Sequence, residues 1–461
     1  MDLKNIQLTN FKRAYFVGVG GIGMSALARY FYTLGWEVSG YDKTETPLTL
    51  ALKEEGISIH YTDLGSNIPN QFKEIDTTLI IYTPAIPKIH GELNYFQNNN
   101  FNILKRSQVL GLLTHHSKGL GVAGTHGKTT TSTLLAHILN ESEVKCNAFL
   151  GGISSNFNSN LLTSSTSEYT VIEADEFDRS FLQLSPFASI ITSTDADHLD
   201  IYGDASVLVE GFQEYANLIH TDGILILRNG LQLTSKAKIL TYAVNDETAD
   251  YTAFNLRFSE GKFLFDVKSP NGELFDLDFG LPGIHNAENA LACIALCQFI
   301  GLSEDRIRFG LTTFKGVKRR FEYHIRKDNL VYIDDYAHHP TEINALVSSV
   351  RMMYPGKRIV GAFQPHLFSR TRDFFEGFVN ELSKLDEVIL LPIYPAREEP
   401  IPGVSSDVLL EKITSSKKQI LNYDEALKYL KDLSDCVVLT IGAGDIDKIV
   451  KPLKEFLSVR D

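Results

Sequence analysis

Short apolar runs recur along this chain, each closed by a glycine or an acidic residue and followed by a stretch of helical period. Such runs stand at 14–17, 36–40, 78–82, 119–123, 169–174 and 189–192, and again at 330–333, 358–363, 387–391 and 436–440. Strands of a parallel sheet are covered on both faces, so they read as continuous apolar runs and not as alternation. Regular exchange of such strands with amphipathic helices predicts doubly wound α/β architecture. One region departs from this. Residues 223–280 alternate apolar and polar in short stretches, as at 261–267, which predicts antiparallel hairpins. The expected fold class is therefore α/β in three domains. A Rossmann-like domain spans 1–107, a central P-loop α/β domain with extra antiparallel strands spans 108–318, and a second Rossmann-like domain spans 319–461.

The residues able to do chemistry cluster where these runs end. After the run at 119–123 comes Gly124-Thr125-His126-Gly127-Lys128-Thr129-Thr130, then a helix through Leu134, Leu135 and Leu139. Glycines let backbone N–H groups turn toward one anion, the helix N-terminus adds partial positive charge, and the lysine reaches the outer phosphates. Thr129 is placed to hold Mg²⁺. Val122 breaks the strict P-loop spacing, and an ordinary strand-to-helix turn is the competing reading. Two glycines, the lysine and the threonine in register favour a nucleoside triphosphate.

The run at 14–17 leads into Gly18-x-Gly20-x-x-Gly23, a helix, a second strand and then Asp42, nineteen residues past Gly23. That is the dinucleotide fingerprint in context, with an acid placed for a ribose hydroxyl. The motif does not name the diphosphate. An NAD-dependent oxidoreductase is one reading, although it leaves Lys128 and Thr129 unexplained; a nucleotide-gated binding protein without turnover is another. Thr83 closes the run at 78–82, and Arg106 precedes a helix, where it either pairs with phosphate or stays a solvated charge.

Glu173 and Asp175 end the run at 169–174, the usual second Mg²⁺ contact downstream of a P-loop. Asp195, Asp197, His198 and Asp200 crowd the next strand end, which suggests a metal or phosphate site, with a backbone-capping turn as the rival. Asn286 and Asn289 open an apolar helix and either read a base edge or cap it. In the third domain the polar clusters are Asp334 to Pro340, Gln364 to His366, and Arg370 with Arg372. A basic hinge, Lys315 to Arg320, precedes them.

Composition narrows the partners. At 461 residues the chain holds about three domains of ~150 residues. A net charge of -13 argues against nonspecific nucleic-acid binding, so an anionic substrate must be met by local Lys and Arg. The four cysteines lack CxxC spacing, and Cys293 with Cys297 fits a buried helix face better than a metal pair. No stretch approaches the ~18 apolar residues of a transmembrane helix. The first apolar run already belongs to the glycine motif, which leaves no signal peptide. The expectation is a cytoplasmic monomer or homodimer, without membrane insertion.

Six motifs in this order, GTHGKTT, EADEFD, DADHLD, GIHNAENA, FKGVKRRFE and DDYAHHPTE, resemble those of the Mur ligases, which add amino acids to the bacterial cell-wall precursor. The resemblance covers essentially the whole chain. GVGGIGM, DDYAHHP, QPHLFSRTRDF and IYPAREEPIPG look most like the member that joins L-alanine to UDP-N-acetylmuramate. A sibling that attaches a whole peptide shares the opening and the DD-x-x-HHP run, so Gln364 to Arg372 separates the two.

The resemblance implies a substrate carboxylate attacking the ATP γ-phosphate, and an alanine amine displacing phosphate from the acyl phosphate. It implies that Lys128 stabilises the transferring phosphoryl group, and that Thr129, Glu173 and His198 hold Mg²⁺. Asn286 and Asn289 would contact adenine, Arg319 the phosphates, and Asp334 the ATP ribose. His338, His366 and Arg372 would face the reacting carboxylate and the amino acid, with the third domain closing on ATP. Gly18, Gly20, Gly21, Ile22, Gly23, Met24, Asp42, Thr83 and Arg106 would hold the UDP-sugar. Sister ligases carry a carbamoylated lysine after the D-H-[LM]-D motif; here no lysine lies between Lys145 and Lys236.

Overall fold

Parallel β-sheets organise the chain, and alternate residues of their strands feed two separate cores. In the computed structural model, which describes residues 6–195, 202, 204–259, 262–396 and 398–460, the first sheet holds β1 (Arg13–Val17), β2 (Glu37–Tyr41), β3 (Ser58–His60), β4 (Thr78–Tyr82) and β5 (Asn102–Lys105). Its order is β3-β2-β1-β4-β5, parallel throughout. Ala14, Phe16, Leu79 and Ile81 face one core and Tyr15, Val17 and Ile80 the other. Two covered faces are why the sequence shows unbroken apolar runs. The order reverses beside β1, which puts the first glycine loop at a topological switch point.

The central sheet has ten strands. They are β6 (Lys118–Ala123), β7 (Asn147–Ser154), β8 (Ser159–Leu162), β9 (Tyr169–Glu173), β10 (Pro186–Ile191), β11 (Ile224–Arg228), β12 (Lys238–Val244), β13 (Tyr251–Ser259), β14 (Lys262–Ser269) and β15 (Gly272–Phe279). The order is β15-β14-β13-β12-β11-β10-β6-β9-β7-β8. The expectation of antiparallel hairpins over 223–280 needs correcting in part. β11 and β12 extend the sheet in parallel, and β13 pairs parallel with β12. Hairpin geometry holds at the edge, where only Pro270 and Asn271 separate β14 from β15, too short for a parallel crossover.

β16 (Glu322–Arg326), β17 (Leu330–Asp335), β18 (Arg358–Phe363), β19 (Glu387–Leu390), β20 (Lys417–Ile420) and β21 (Cys436–Ile441) form the third sheet, ordered β16-β17-β21-β18-β19-β20. Only β16 is antiparallel. Ile333, Val437 and Leu439 face one core while Tyr332, Val438 and Cys436 face the other. The apolar helix expected near Asn286 is Ile284–Ile300. Residues 290–297 on it are fully buried, Cys293 and Cys297 among them, and all four cysteines are free thiols.

By compactness the chain divides into two units. One comprises Met1–Phe254, Asp266–Leu277 and Glu288–Phe314; the other comprises Asn255–Phe265, Asp278–Ala287 and Lys315–Asp461. Within the first unit, Asn160 of β8 links the central sheet to the helix Ile22–Thr33 beside the first. It accepts from Arg29 Nη1 at 2.6 Å and donates to Ile22 O at 2.6 Å and Ser25 Oγ at 2.9 Å. Among the described residues no helix is long and apolar enough to cross a membrane.

Candidate functional site

β9, β6 and β10 lie side by side and parallel, so the loops leaving their carboxyl ends meet on one edge. The loop after β6 is the glycine cradle. Gly124 and Gly127 have φ of 130° and 82°, a region that L side chains rarely adopt. A Cβ on Gly124 would overlap Thr192 Oγ1 and lie 2.8 Å from the Ser193 amide, and one on Gly127 would lie 2.7 Å from Asn289 Oδ1. Gly127 then caps the helix Lys128–Asn140, whose first turn opens toward the loop. The loop after β10 pins the cradle: Thr125 and Ser193 hydroxyls are 2.8 Å apart, His126 N donates to Ser193 Oγ at 2.9 Å, and Asp195 N donates to Thr125 Oγ1 at 3.1 Å. Thr130 is buried behind it.

Lys128 bends back over this loop. Its Nζ donates to Gly124 O at 2.7 Å and lies 2.9 and 2.8 Å from the two oxygens of Glu176, which is fully buried. Burial alone would lower the ammonium's pKa, but Glu176, Asp175 and Glu173 together outweigh it and hold Lys128 above its ordinary value, hence charged. Thr129 Oγ1 donates to Glu173 Oε1 at 3.1 Å, and Glu173 Oε2 accepts from Gly151 N at 3.1 Å. A hydroxyl and a carboxylate converging here are the hard oxygen donors a divalent cation such as Mg²⁺ takes. His198, the other expected metal ligand, lies outside the described residues.

Glu176 was not singled out in the sequence, since nothing but the pairing of β9 with β6 brings it over Lys128. Its loop is strained as well. Asp178 and Arg179 both sit at positive φ, 54° and 53°, a cost of the kind functional loops carry. Asp175 accepts from Arg106 at 3.0 Å, and Lys105 meets Asp178 at 3.2 Å, so this loop also reaches the first sheet.

On the first sheet the carboxylate of Asp42 folds onto the glycine loop after β1. Asp42 Oδ2 accepts from Gly20 N at 2.7 Å and Oδ1 from Thr44 N at 3.2 Å, so the carboxylate braces the loop itself. Gly18, at φ 93°, packs against Thr83, and Gly23 packs against the Arg106 guanidinium. Gly21 caps the helix Ile22–Thr33, and Met24 is buried in the core, supporting the loop from within.

The third sheet gathers a second set of residues, because β17, β21 and β18 are adjacent and parallel. Asp334 is fully buried. Its Oδ1 accepts from Thr440 at 2.6 Å and its Oδ2 from Arg319 Nε at 3.1 Å, so it orients Arg319. Burial raises its pKa against the pull of Arg319. Arg319 also donates to Gly442 O at 2.7 Å and lies over the Tyr336 ring. The Asn286 amide donates to Pro282 O at 2.7 Å.

His338 and His366 have ring centres 6.0 Å apart, and His366 stacks on Tyr394. His338 Nδ1 lies 3.2 Å from Glu342; burial keeps its imidazole below the usual pKa. The arginine beside them is not Arg372, which is exposed and pairs with Asp373 at 2.7 Å, but Arg370, buried and 3.4 Å from His366 Nδ1. His366 lies outside the helix Phe368–Asp373 that carries both arginines, so spacing alone could not select Arg370 over Arg372 in the sequence. Leu367, between His366 and Arg370, sits at φ 70°, another strained residue at a candidate site.

Three family models cover most of the chain: "Mur ligase family, catalytic domain" over 13–118, "Mur ligase middle domain" over 122–297, and "Mur ligase, glutamate ligase domain" over 319–444. A UDP-N-acetylmuramate--L-alanine ligase of Parabacteroides distasonis is 50% identical over 447 residues, covering 96% of each chain. That of Porphyromonas gingivalis (strain W83) is 49% identical, covering 97% of this chain and 99% of its own. The crystal structure of the UDP-N-acetylmuramate-alanine ligase of Thermotoga maritima superposes with a TM-score of 0.82 at 28% identity, covering 97% of this chain and all of that one. A murein peptide ligase from Psychrobacter arcticus shares the fold at TM-score 0.69 and 21% identity, over 98% and 99% of the two chains.

Proposed function

The chain belongs to the Mur ligase family, and from that premise we propose that it joins L-alanine to the lactyl carboxylate of UDP-N-acetylmuramate. It is an ATP-dependent UDP-N-acetylmuramate--L-alanine ligase of peptidoglycan precursor synthesis. The observation that carries the chemistry is the buried, charged Lys128 at the head of a helix behind a glycine cradle, next to Thr129 and Glu173.

In this reading the triphosphate lies along Gly124 to Thr130, where N–H groups and the helix N-terminus take its charge. Lys128 gives up part of its contact with Glu176 to phosphate oxygens and stabilises the charge of the transferring phosphoryl group. Thr129 and Glu173 would hold Mg²⁺, which when bound would neutralise phosphate charge. Attack by the lactyl carboxylate breaks the bond from the γ-phosphorus to its bridging oxygen, giving ADP and an acyl phosphate. The alanine amine then adds to the acyl carbon, loses a proton and expels phosphate.

The loop Gly18 to Met24, with Asp42, Thr83 and Arg106, serves the UDP-sugar. Arg319 serves the phosphates and Asp334, which orients it, the ATP ribose, while Asn286 and Asn289 serve adenine. His338, His366 and Arg370 serve the acceptor amino acid, with Arg372 an outer charge. The domains are taken as 1–107, 108–318 and 319–461. The cytoplasm, where the nucleotide substrates are made, is the assigned location, and the chain is taken as a monomer or homodimer. The mechanism has its own test. Heavy oxygen placed in the substrate carboxylate is expected to appear in the released phosphate, one atom per turnover; phosphate free of label rules out the acyl phosphate.

A further inference from the structure

The antiparallel edge of the third sheet brings together three groups that neither the family's chemistry nor the reading above employs as a set. Glu322 of β16 stands directly opposite Asp334 of β17. The register then slips between Tyr323 and Ile325, leaving His324 without a cross-strand partner. Bulges of this kind re-aim one side chain relative to the regular pleat. His324 points inward. Its side chain is 6% exposed, and neither ring nitrogen has a hydrogen-bond partner. A buried imidazole with both nitrogens unmatched is costly, and natural structures seldom keep one without a ligand or function.

The donor atoms suit an ion. One ring nitrogen of His324 and one oxygen each of Glu322 and Asp334 lie within 4.8 Å of one another, with His324 Nε2 3.9 Å from Glu322 Oε2. An ion with bonds of about 2 Å in tetrahedral array spaces its donors by roughly 3.3 Å, so modest side-chain shifts close the set. Asp334 Oδ2 already accepts from Arg319, and Glu322 Oε2 from Arg319 N at 2.8 Å. A carboxylate oxygen has a second lone pair, so neither bond bars coordination. Two carboxylates offset the one guanidinium, and Lys454 is the further cation that His324 feels. Burial lowers the imidazole's pKa, which keeps it neutral with a lone pair to give. Glu322, a quarter exposed, provides the way in.

We propose that Glu322, His324 and Asp334 form a binding site for a transition-metal dication of the zinc class, distinct from the Mg²⁺ of the ligation reaction. An imidazole nitrogen with two carboxylates selects Zn²⁺ or Co²⁺ over Mg²⁺, which prefers an all-oxygen shell. The site lies where Arg319 is anchored, so an ion there shares the carboxylates that hold this arginine.

The test uses the full-length protein without nucleotide, titrated with Co²⁺ and followed by visible absorption. The native chain is expected to take up one Co²⁺ in a low-symmetry site, displaced by Zn²⁺ and unaffected by excess Mg²⁺. His324→Asn should weaken that uptake at least tenfold, while Glu173→Gln, at the phosphate cradle, should leave it unchanged. Uptake that survives His324→Asn, or that Glu173→Gln abolishes, overturns the proposal, as does a native chain with no such band. Should His324→Asn fail to fold by its melting curve, crystals of the native chain soaked in Zn²⁺ decide. An anomalous peak between Glu322, His324 and Asp334 supports the site, and its absence at saturating Zn²⁺ overturns it.

Discussion

Lys128→Ala is expected to lower the rate of phosphate release by on the order of 10²–10³ or more, while affinity for UDP-N-acetylmuramate stays at its native value. The lysine is buried, charged and aimed across the mouth of the cradle, and Glu176 keeps that charge matched while it waits. Truncation removes the one cation in the first helical turn of Lys128–Asn140 and leaves Glu176 buried without its partner, so a loss of stability accompanies the loss of rate. Rate and stability must therefore be separated. Single-turnover phosphate release at saturating ATP measures the first, and a melting curve measures the second. Binding of the UDP-sugar, followed by calorimetry, is the internal control, because its glycine loop sits on another sheet. Near-native turnover in this variant would remove Lys128 from the chemistry.

Gly18→Ala should give the complementary pattern, a UDP-sugar affinity reduced about tenfold or more with ATP binding preserved. Gly18 sits at φ 93°, which costs an L residue roughly 1–2 kcal/mol, and a tenfold change in affinity is about 1.4 kcal/mol. The added methyl would also lie 2.5 Å from Thr83 Cγ2 and 3.3 Å from Ile86 Cδ1. The loop must shift, and the Gly20 N–H that Asp42 holds shifts with it. Calorimetric titration with each nucleotide separately reads the two affinities. Loss of ATP affinity with the sugar nucleotide unaffected would reverse the assignment of the two loops.

The two variants also mark how far the sequence could be read. Glycines at 18, 124 and 127 were legible because a phosphate loop fixes their spacing, and each does occupy positive φ. The parallel sheets were legible for a similar reason. Burial on both faces writes an unbroken apolar run, as at 14–17 and 436–440, whereas the short edge strands β3 and β20 leave no such trace. What remained hidden depends on strand order. Glu176 reaches Lys128, and Ser193 reaches Thr125, only because β9 and β10 flank β6. Asp42 was read as a ribose contact from its distance to Gly23, but no spacing could show that its oxygens brace Gly20 and Thr44. Asp334 was legible as a strand-end acid, but not its hydrogen bond from Thr440, more than a hundred residues away. The bulge at His324 left no signal in the pattern at all.

The central claim is ligation of one amino acid to one nucleotide sugar. The most direct measurement is phosphate release with ATP, Mg²⁺ and UDP-N-acetylmuramate, run against a panel of single amino acids and one tripeptide, with the nucleotide product weighed by mass spectrometry. The account predicts release that requires the nucleotide sugar, is fastest with L-alanine, and yields UDP-N-acetylmuramoyl-L-alanine in equal amount. Release supported by the tripeptide and not by alanine, or ATP bound with no release under any acceptor, would contradict it.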